Sequence, residues 1–187
     1  MSKGLTPSQT IGPFYVGTLV KAYRQDLAPP NVAGEHVEIV LSLHDADGMV
    51  VPDGVFEIWQ ANSHGRYNHP DDRRNLPLDP GFEGFGRAST WLDGSSQFST
   101  IKPGRVPWPQ GGLQAPHINV SIFARGLLNR VATRLYFEGD PANAEDPVLK
   151  MIEPARRSTL LAQRDANGTW RLPIHLGGPQ ETVFFDC

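Results

Sequence analysis

Ala115-Pro116-His117-Ile118-Asn119-Val120-Ser121-Ile122-Phe123-Ala124-Arg125-Gly126 alternates in character along its whole length. His117, Asn119, Ser121, Phe123 and Arg125 share one parity; Ile118, Val120, Ile122 and Ala124 share the other. Period two predicts a strand with one apolar face and one mixed face. Pro116 suits the start of a strand, where no ladder donor is needed. His117 and Asn119 leave on the same side. Two histidines at that spacing can grip one metal ion, but the second position here is an amide, a poor substitute. Arg125 follows eight residues after His117, so in a straight strand the two lie about 26 Å apart. One strand thus carries two separate chemical ends.

The same alternation recurs to either side. Strands are expected over 36–44, 55–60, 85–91, 96–101, 132–138, 170–176 and 182–185. Turn residues separate several of them, as in Asp45-Ala46-Asp47-Gly48, Leu92-Asp93-Gly94-Ser95 and Asp165 to Gly168. Glu57, between Val55 and Trp59 on one face, is expected to pair with an arginine. Residues 146–163 form the one helical region expected, with Pro154 opening a second short helix that ends at Leu160-Leu161. Nineteen Gly and seventeen Pro in 187 residues point to turns and short strands rather than a bundle. The expected fold is therefore all-β: an antiparallel β-sandwich with a short helical insertion and long loops. It is divided into an N-terminal arm over 1–34 and a sandwich over 35–187 of one domain. Within the arm, Thr10-Ile11-Gly12-Pro13-Phe14-Tyr15 reads as an ordered segment lying on another surface, with a floppy terminus as the plainer alternative.

Composition narrows the function. The formal net charge is -3 and no basic patch is visible, which argues against a nucleic-acid partner. No apolar run approaches the ~18 residues of a membrane span. The N-terminus has no apolar signal segment. Cys187 is the only cysteine, so no internal disulfide can form, which fits a reducing, cytoplasmic setting. His36, His44, His64, His69 and His175 read as surface or satisfied core residues. No phosphate-binding loop, Cys-x-x-Cys, His-Glu-x-x-His or Gly-x-Ser-x-Gly occurs.

Three pieces in order, Gly65-Arg66-Tyr67, Pro103-Gly104-Arg105-Val106-Pro107-Trp108 and Pro116-His117-Ile118-Asn119, resemble the intradiol ring-cleavage dioxygenases. In that family Tyr67 and His117 would match ligands of a non-haem Fe(III). Val106 stands where the family has a tyrosine, and Asn119 where it has a second histidine. Gln114 stands where it keeps an arginine. A hard ferric ion suits phenolate oxygen, and a tyrosine and an imidazole alone make a weak, open site. The resemblance therefore implies a vestigial site at Tyr67, Val106, His117 and Asn119, with no metal bound by this chain.

Outside that site, Thr6-Pro7-Ser8-Gln9-Thr10, Phe123-Ala124-Arg125-Gly126, Arg134-Leu135-Tyr136-Phe137 and Glu181-Thr182-Val183-Phe184-Phe185-Asp186 resemble the α chains of heteromeric members of the family. That resemblance implies a homologous β partner holding Fe(III). It also implies cleavage of protocatechuate by O2 to 3-carboxy-cis,cis-muconate. Thr10, Gly12, Pro13 and Arg125 of this chain would bind substrate in the partner's site, and the chain alone would be inactive. Two alternatives stay open: a stand-alone, iron-free transthyretin-like binding or structural sandwich, and a self-sufficient dioxygenase with other ligands.

Overall fold

A computed structural model describes residues 4–12, 14–19 and 22–186 of the chain. The elements run α1 Phe14–Leu19, β1 His36–His44, β2 Val55–Trp59, β3 Phe85–Ser89, β4 Ser95–Ile101, β5 Val106–Pro107, β6 Leu113–Gln114, β7 His117–Phe123 and β8 Val131–Phe137. Three short helices follow: a 3-10 turn at Pro141–Ala144, α2 Pro147–Met151 and a 3-10 helix at Pro154–Leu160. β9 Leu161–Arg164 and β10 Trp170–His175 complete the set. β7 is the opening stretch with its ends trimmed. Ile118, Val120 and Ile122 are buried, while Asn119, Ser121 and Phe123 on the other face are part-exposed. β1 alternates just as cleanly, with Val37, Ile39, Leu41 and Leu43 inward.

The expected all-β class holds; purely antiparallel pairing does not. The strands form one sheet in the order β3-β2-β7-β8-β9-β10-β1-β4, beside a two-stranded β5-β6 ribbon. β1 pairs with β10, and β8 with β9, in parallel. The physical reason is connectivity. A parallel neighbour needs a crossover, and the helical segment between β8 and β9 supplies one. The two halves are also not separate sheets. β9 bonds to β8 through Tyr136↔Leu161 and Phe137↔Ala162, and to β10 through Trp170↔Arg164 and Arg171↔Gln163. Both halves bury side chains in one cluster: Leu41, Phe98 and Ile174 from one, Phe56, Val120 and Leu135 from the other.

The two ends of the sheet order nearly meet. β3 and β4 are joined by the tight Trp91–Ser95 turn, where Gly94 takes φ +70 and a Cβ would come within 2.7 Å of Val50. The N-terminal segment closes what remains of the gap. Arg24 exchanges backbone hydrogen bonds with Arg87 of β3, Leu27 N–H donates to Ser99 O of β4 at 2.8 Å, and Leu27 is fully buried in the core. Neither edge is left as a bare template for another strand.

The helical region differs from the expected one. Leu161–Arg164 is a strand, not the end of a helix. Residues 182–185 make a single bridge, Ala132↔Phe185, rather than a strand. β5 and β6 lie in a stretch expected to be loop. Glu57 does pair as expected: Arg87 Nε donates to its Oε1 at 2.7 Å across the β2–β3 register. Among the described residues no helix is long and apolar enough to cross a membrane.

Asp146 holds the helical segment to the sheet. It is fully buried; its Oδ2 accepts from Ala115 N–H at 2.6 Å, and its Oδ1 from Leu149 N–H at 2.8 Å and Tyr136 Oη–H at 3.4 Å. Removing a helix cap costs about 1 kcal/mol, and each buried donor left alone about 1–3 kcal/mol more. Asp146→Ala is therefore expected to destabilise the fold by about 3 kcal/mol or more in urea unfolding. Asp146→Asn keeps one acceptor oxygen and should cost clearly less. Equal losses would mean that packing, not acceptance, is what Asp146 provides.

Candidate functional site

Two backbone approaches build the cavity beside the start of β7. Gly65 takes φ +76, and a Cβ there would sit 2.1 Å from Arg105 O. Gly104 faces it: Gly104 N–H donates to Asn62 O at 2.8 Å, and a Cβ on it would lie 2.5 Å from Gly65 N. Only glycines permit so close a crossing. It brings the Gly65-Arg66-Tyr67 piece against the Pro103-Gly104-Arg105-Val106 piece, far apart in sequence.

The loop carrying Tyr67 is fixed from beneath. Asn62 Oδ1 accepts from His64 and Arg66 N–H groups at 3.0 and 2.9 Å. Asp72 accepts from Tyr67 N–H at 2.8 Å and from Arg74 Nε at 2.8 Å. Arg74 holds the Asp72 carboxyl well below the usual carboxylate range. The Tyr67 ring stacks on Trp59, with centroids 5.6 Å apart and planes 19° from parallel.

The result is a cavity of about 1010 Å3, lined among others by Trp59, Tyr67, Val106, Gln114, His117 and Arg134. Strand register sets its floor. Trp59, Asn119 and Arg134 are successive cross-strand partners on β2, β7 and β8, and His117 lies opposite Tyr136. His117 is buried, and its Nδ1–H donates to Ala115 O at 2.8 Å, which leaves the lone pair on Nε2. Burial, then the Arg134 guanidinium, pull the His117 pKa down to about 4, so the ring is neutral at pH 7. Arg134 Nη1 donates to Gln114 Oε1 at 2.8 Å and to Tyr136 Oη at 3.2 Å. Its guanidinium lies over the Phe185 ring at 5.6 Å. Burial pushes both the Tyr67 and Tyr136 phenols up.

The four candidate ligand positions do come together, but their donors do not suit a ferric ion. Val106 is buried and offers no donor. Asn119 offers only a neutral amide oxygen in place of an imidazole, its nitrogen donating to Trp59 O at 3.3 Å and Tyr67 Oη at 3.4 Å. Tyr67 is held as the neutral phenol, and Arg134 adds positive charge beside the buried His117 imidazole. Among the described residues no group of three or more His, Cys, Asp or Glu could hold a metal ion.

Arg125 stands at the other end of β7, two residues past Phe123. Its side chain is exposed and its Nε donates to Asp53 Oδ2. The N-terminal segment is there too, lying on this chain's own 123–130 turn. Gly126 N–H donates to Thr10 Oγ1 at 2.8 Å, and Ser8 Oγ–H donates to Asn129 Oδ1 at 2.6 Å. Tyr15, whose N–H donates to Gly12 O at 3.0 Å, packs on Phe123 at 5.9 Å. Thr10 and Gly12 are thus gathered with Arg125, apart from Tyr67, Val106, His117 and Asn119; Pro13 lies outside the described residues.

A family model described as "Dioxygenase" matches residues 12–171. The chain is 41% identical to the protocatechuate 3,4-dioxygenase alpha chain of Burkholderia cepacia, over 97% of this chain and 96% of that one. The chain belongs to the intradiol dioxygenase family. With the beta chain named for the same enzyme and organism it shares 38% identity over 70% of its length and 56% of that chain's. In architecture it is similar to an intradiol ring-cleavage dioxygenase from Tetranychus urticae, with a TM-score of 0.61 over 97% of this chain and 98% of that one. That structure is 19% identical, so the likeness is one of fold.

Within this dioxygenase-family chain, sequence reasoning missed three residues. Arg134 shared a parity with other strand residues, but its place opposite Asn119 depends on register. Asp53 sat in a turn with nothing to link it to Arg125. Asp146 carried a signal, an Asp just before Pro147 at a helix start.

Because His117 is neutral in the fold and titrates near 6.5 when unfolded, the unfolded state binds the extra proton between these values. Its contribution is complete above pH 6.5 and is lost as pH falls toward 4, by at most ~1.4 kcal/mol per pH unit. The unfolding free energy of wild type minus that of His117→Phe should therefore rise with pH from 4 to 6.5 and then level off. A difference that is flat with pH would mean that His117 titrates alike in both states.

Proposed function

We propose that this chain is the α subunit of a heteromeric protocatechuate 3,4-dioxygenase. In this reading it holds no iron itself. It lends Arg125, Thr10, Gly12 and Pro13 to an active site on a homologous β chain, whose Fe(III) supports cleavage of protocatechuate by O2 to 3-carboxy-cis,cis-muconate. One observation carries the reading: identity of 41% runs over almost the whole of an α chain, while Val106 and Asn119 stand at two ligand positions of the family's metal site. The part proposed for residues 1–34 is that of an arm whose first fifteen residues border the shared pocket, with 35–187 as the β-sheet body.

The geometry around Arg125 supports this role. A guanidinium is the natural partner for a ring carboxylate, and a charge-assisted bond to it also fixes orientation. Arg125 is exposed and is held by Asp53 alone among the described carboxylates. An exposed pair of this kind contributes about 0–1 kcal/mol, so a substrate carboxylate can share or replace Asp53 at small cost. Thr10 is tied to the residue after Arg125, which would place the arm and the cation on one rim.

The direct test is to produce the full chain with and without a β homologue, then assay iron and ring cleavage. The chain alone should be colourless, poor in iron and inactive; the pair should be active. Stoichiometric iron in the single chain would overturn the reading. A chain that never forms a heteromer would favour the stand-alone binding sandwich.

Arg125→Ala, assembled with wild-type β, should keep its iron and oligomeric state. A hydrogen bond to a charged group contributes about 1.5–3 kcal/mol, so kcat/KM for protocatechuate should fall roughly ten- to a hundredfold. Arg125→Lys should recover part of the loss, and catechol, which lacks the carboxylate, should be much less affected. Equal losses for both substrates would assign Arg125 to packing at the interface.

A further inference from the structure

The cavity of about 1010 Å3 beside the start of β7 has no part in the proposed shared site, yet it is neither filled nor electrically neutral. Arg134 projects into it from β8. Its recorded acceptors are the uncharged Gln114 Oε1 and Tyr136 Oη, and no carboxylate accepts from it among the described residues. Arg74, another guanidinium at this cavity, is spent on Asp72. Behind Arg134, across the Tyr136 hydroxyl, lies Asp146. It is screened by the Tyr136 hydroxyl and committed to Ala115 and Leu149. Arg134 is also fixed in orientation, through Gln114 on one side and the Phe185 ring beneath. A pre-oriented, uncompensated guanidinium in a walled cavity is a receptor for a carboxylate.

The rest of the lining sets the shape. The stacked Trp59 and Tyr67 rings, with Val106 and Pro107, offer a flat apolar wall. Aromatic faces favour a planar ring in offset or edge contact. Cavities of roughly 300–1,000 Å3 are the usual size for small-ligand sites. Asp71 and Asp72 are balanced at the cavity by Arg73 and Arg74, which leaves Arg134 as the net charge and a single carboxylate as its complement. We propose that this cavity binds a single-ring aryl monocarboxylate, without a metal, through Arg134 and the Trp59–Tyr67 wall. The site is assigned binding only, and no chemical step is attached to it. The proposal does not depend on the α-subunit reading and is tested without iron or a partner.

Calorimetric titration of the full chain with benzoate, benzamide, acetate and inorganic phosphate tests it. Benzoate should bind one to one. Benzamide has the ring without the charge, and acetate and phosphate have charge without the ring; each should bind at least tenfold more weakly. Arg134→Gln should lose tenfold or more for benzoate, and Arg134→Lys should keep part of it. Gln114→Glu is the second variant. It is nearly isosteric, keeps the bond to Arg134 and neutralises the guanidinium, losing only the Nε2–H bond to Pro107 O, so it should keep the native circular dichroism with a somewhat lower melting point, yet abolish benzoate binding. Benzamide binding as tightly as benzoate, phosphate or acetate matching benzoate, no benzoate binding at tens of millimolar, or full affinity in Gln114→Glu would each overturn the proposal.

Discussion

Asp146 is the residue on which the cavity end of this molecule depends. A carboxylate with no exposure is costly unless its lone pairs are filled, and here donors from the β6–β7 link, β8 and α2 fill them. Ala115 N–H fixes the chain where it enters β7, and the carbonyl of the same residue then fixes the tautomer of His117. Tyr136 Oη–H ties in β8, and the same hydroxyl accepts from Arg134. Leu149 N–H anchors α2. One carboxylate thus sets the positions of the imidazole, the guanidinium and the helix that backs them.

The two ends of β7 differ in the kind of charge they can accept. At the His117 end, the neutral His117 imidazole, the Tyr67 phenol and the Arg134 guanidinium line a cavity whose candidate donors include an aliphatic side chain and an amide, while Asp71 and Asp72 are matched there by Arg73 and Arg74. That surrounding disfavours a cation and favours an anion. At the Arg125 end, the cation stands exposed beside Asp53 and beneath Thr10, where another surface can reach it. A strand is stiff enough to keep these ends apart, so one chain can carry both without interference.

Much of the fold was legible because alternation is a direct record of burial. β1 could be read to the residue and β7 to within two or three at its ends, since each has one wholly apolar parity. The Glu57–Arg87 pair was half legible: the need for a partner follows from burial, but its identity follows from register. β9 was hidden because Leu160 and Leu161 continue the spacing of Val148, Leu149 and Ile152, which a helix would also give. The parallel insertion of β10 was not legible, since nothing local in Trp170–His175 says which neighbours it will find. Tyr67, Val106, His117 and Asn119 could be grouped through their motifs. Arg134 could not, because its place in the cavity is fixed by which residue it faces across the strand gap.

The position of β10 bears on how the chain reaches its fold. The last strand in sequence lies between β9 and β1, inside the sheet rather than at its margin, and the segment around Leu27 near the beginning closes the opposite seam. Beside the local β7–β8 and β9–β10 hairpins, the pairings of β1 with β10 and β4, and of β2 with β7, join residues distant along the chain, which raises contact order and slows folding. On the ribosome, β1 and β9 must wait with unpaired flanks until Trp170–His175 has left the exit tunnel. In that interval the open strand edges invite association with other chains.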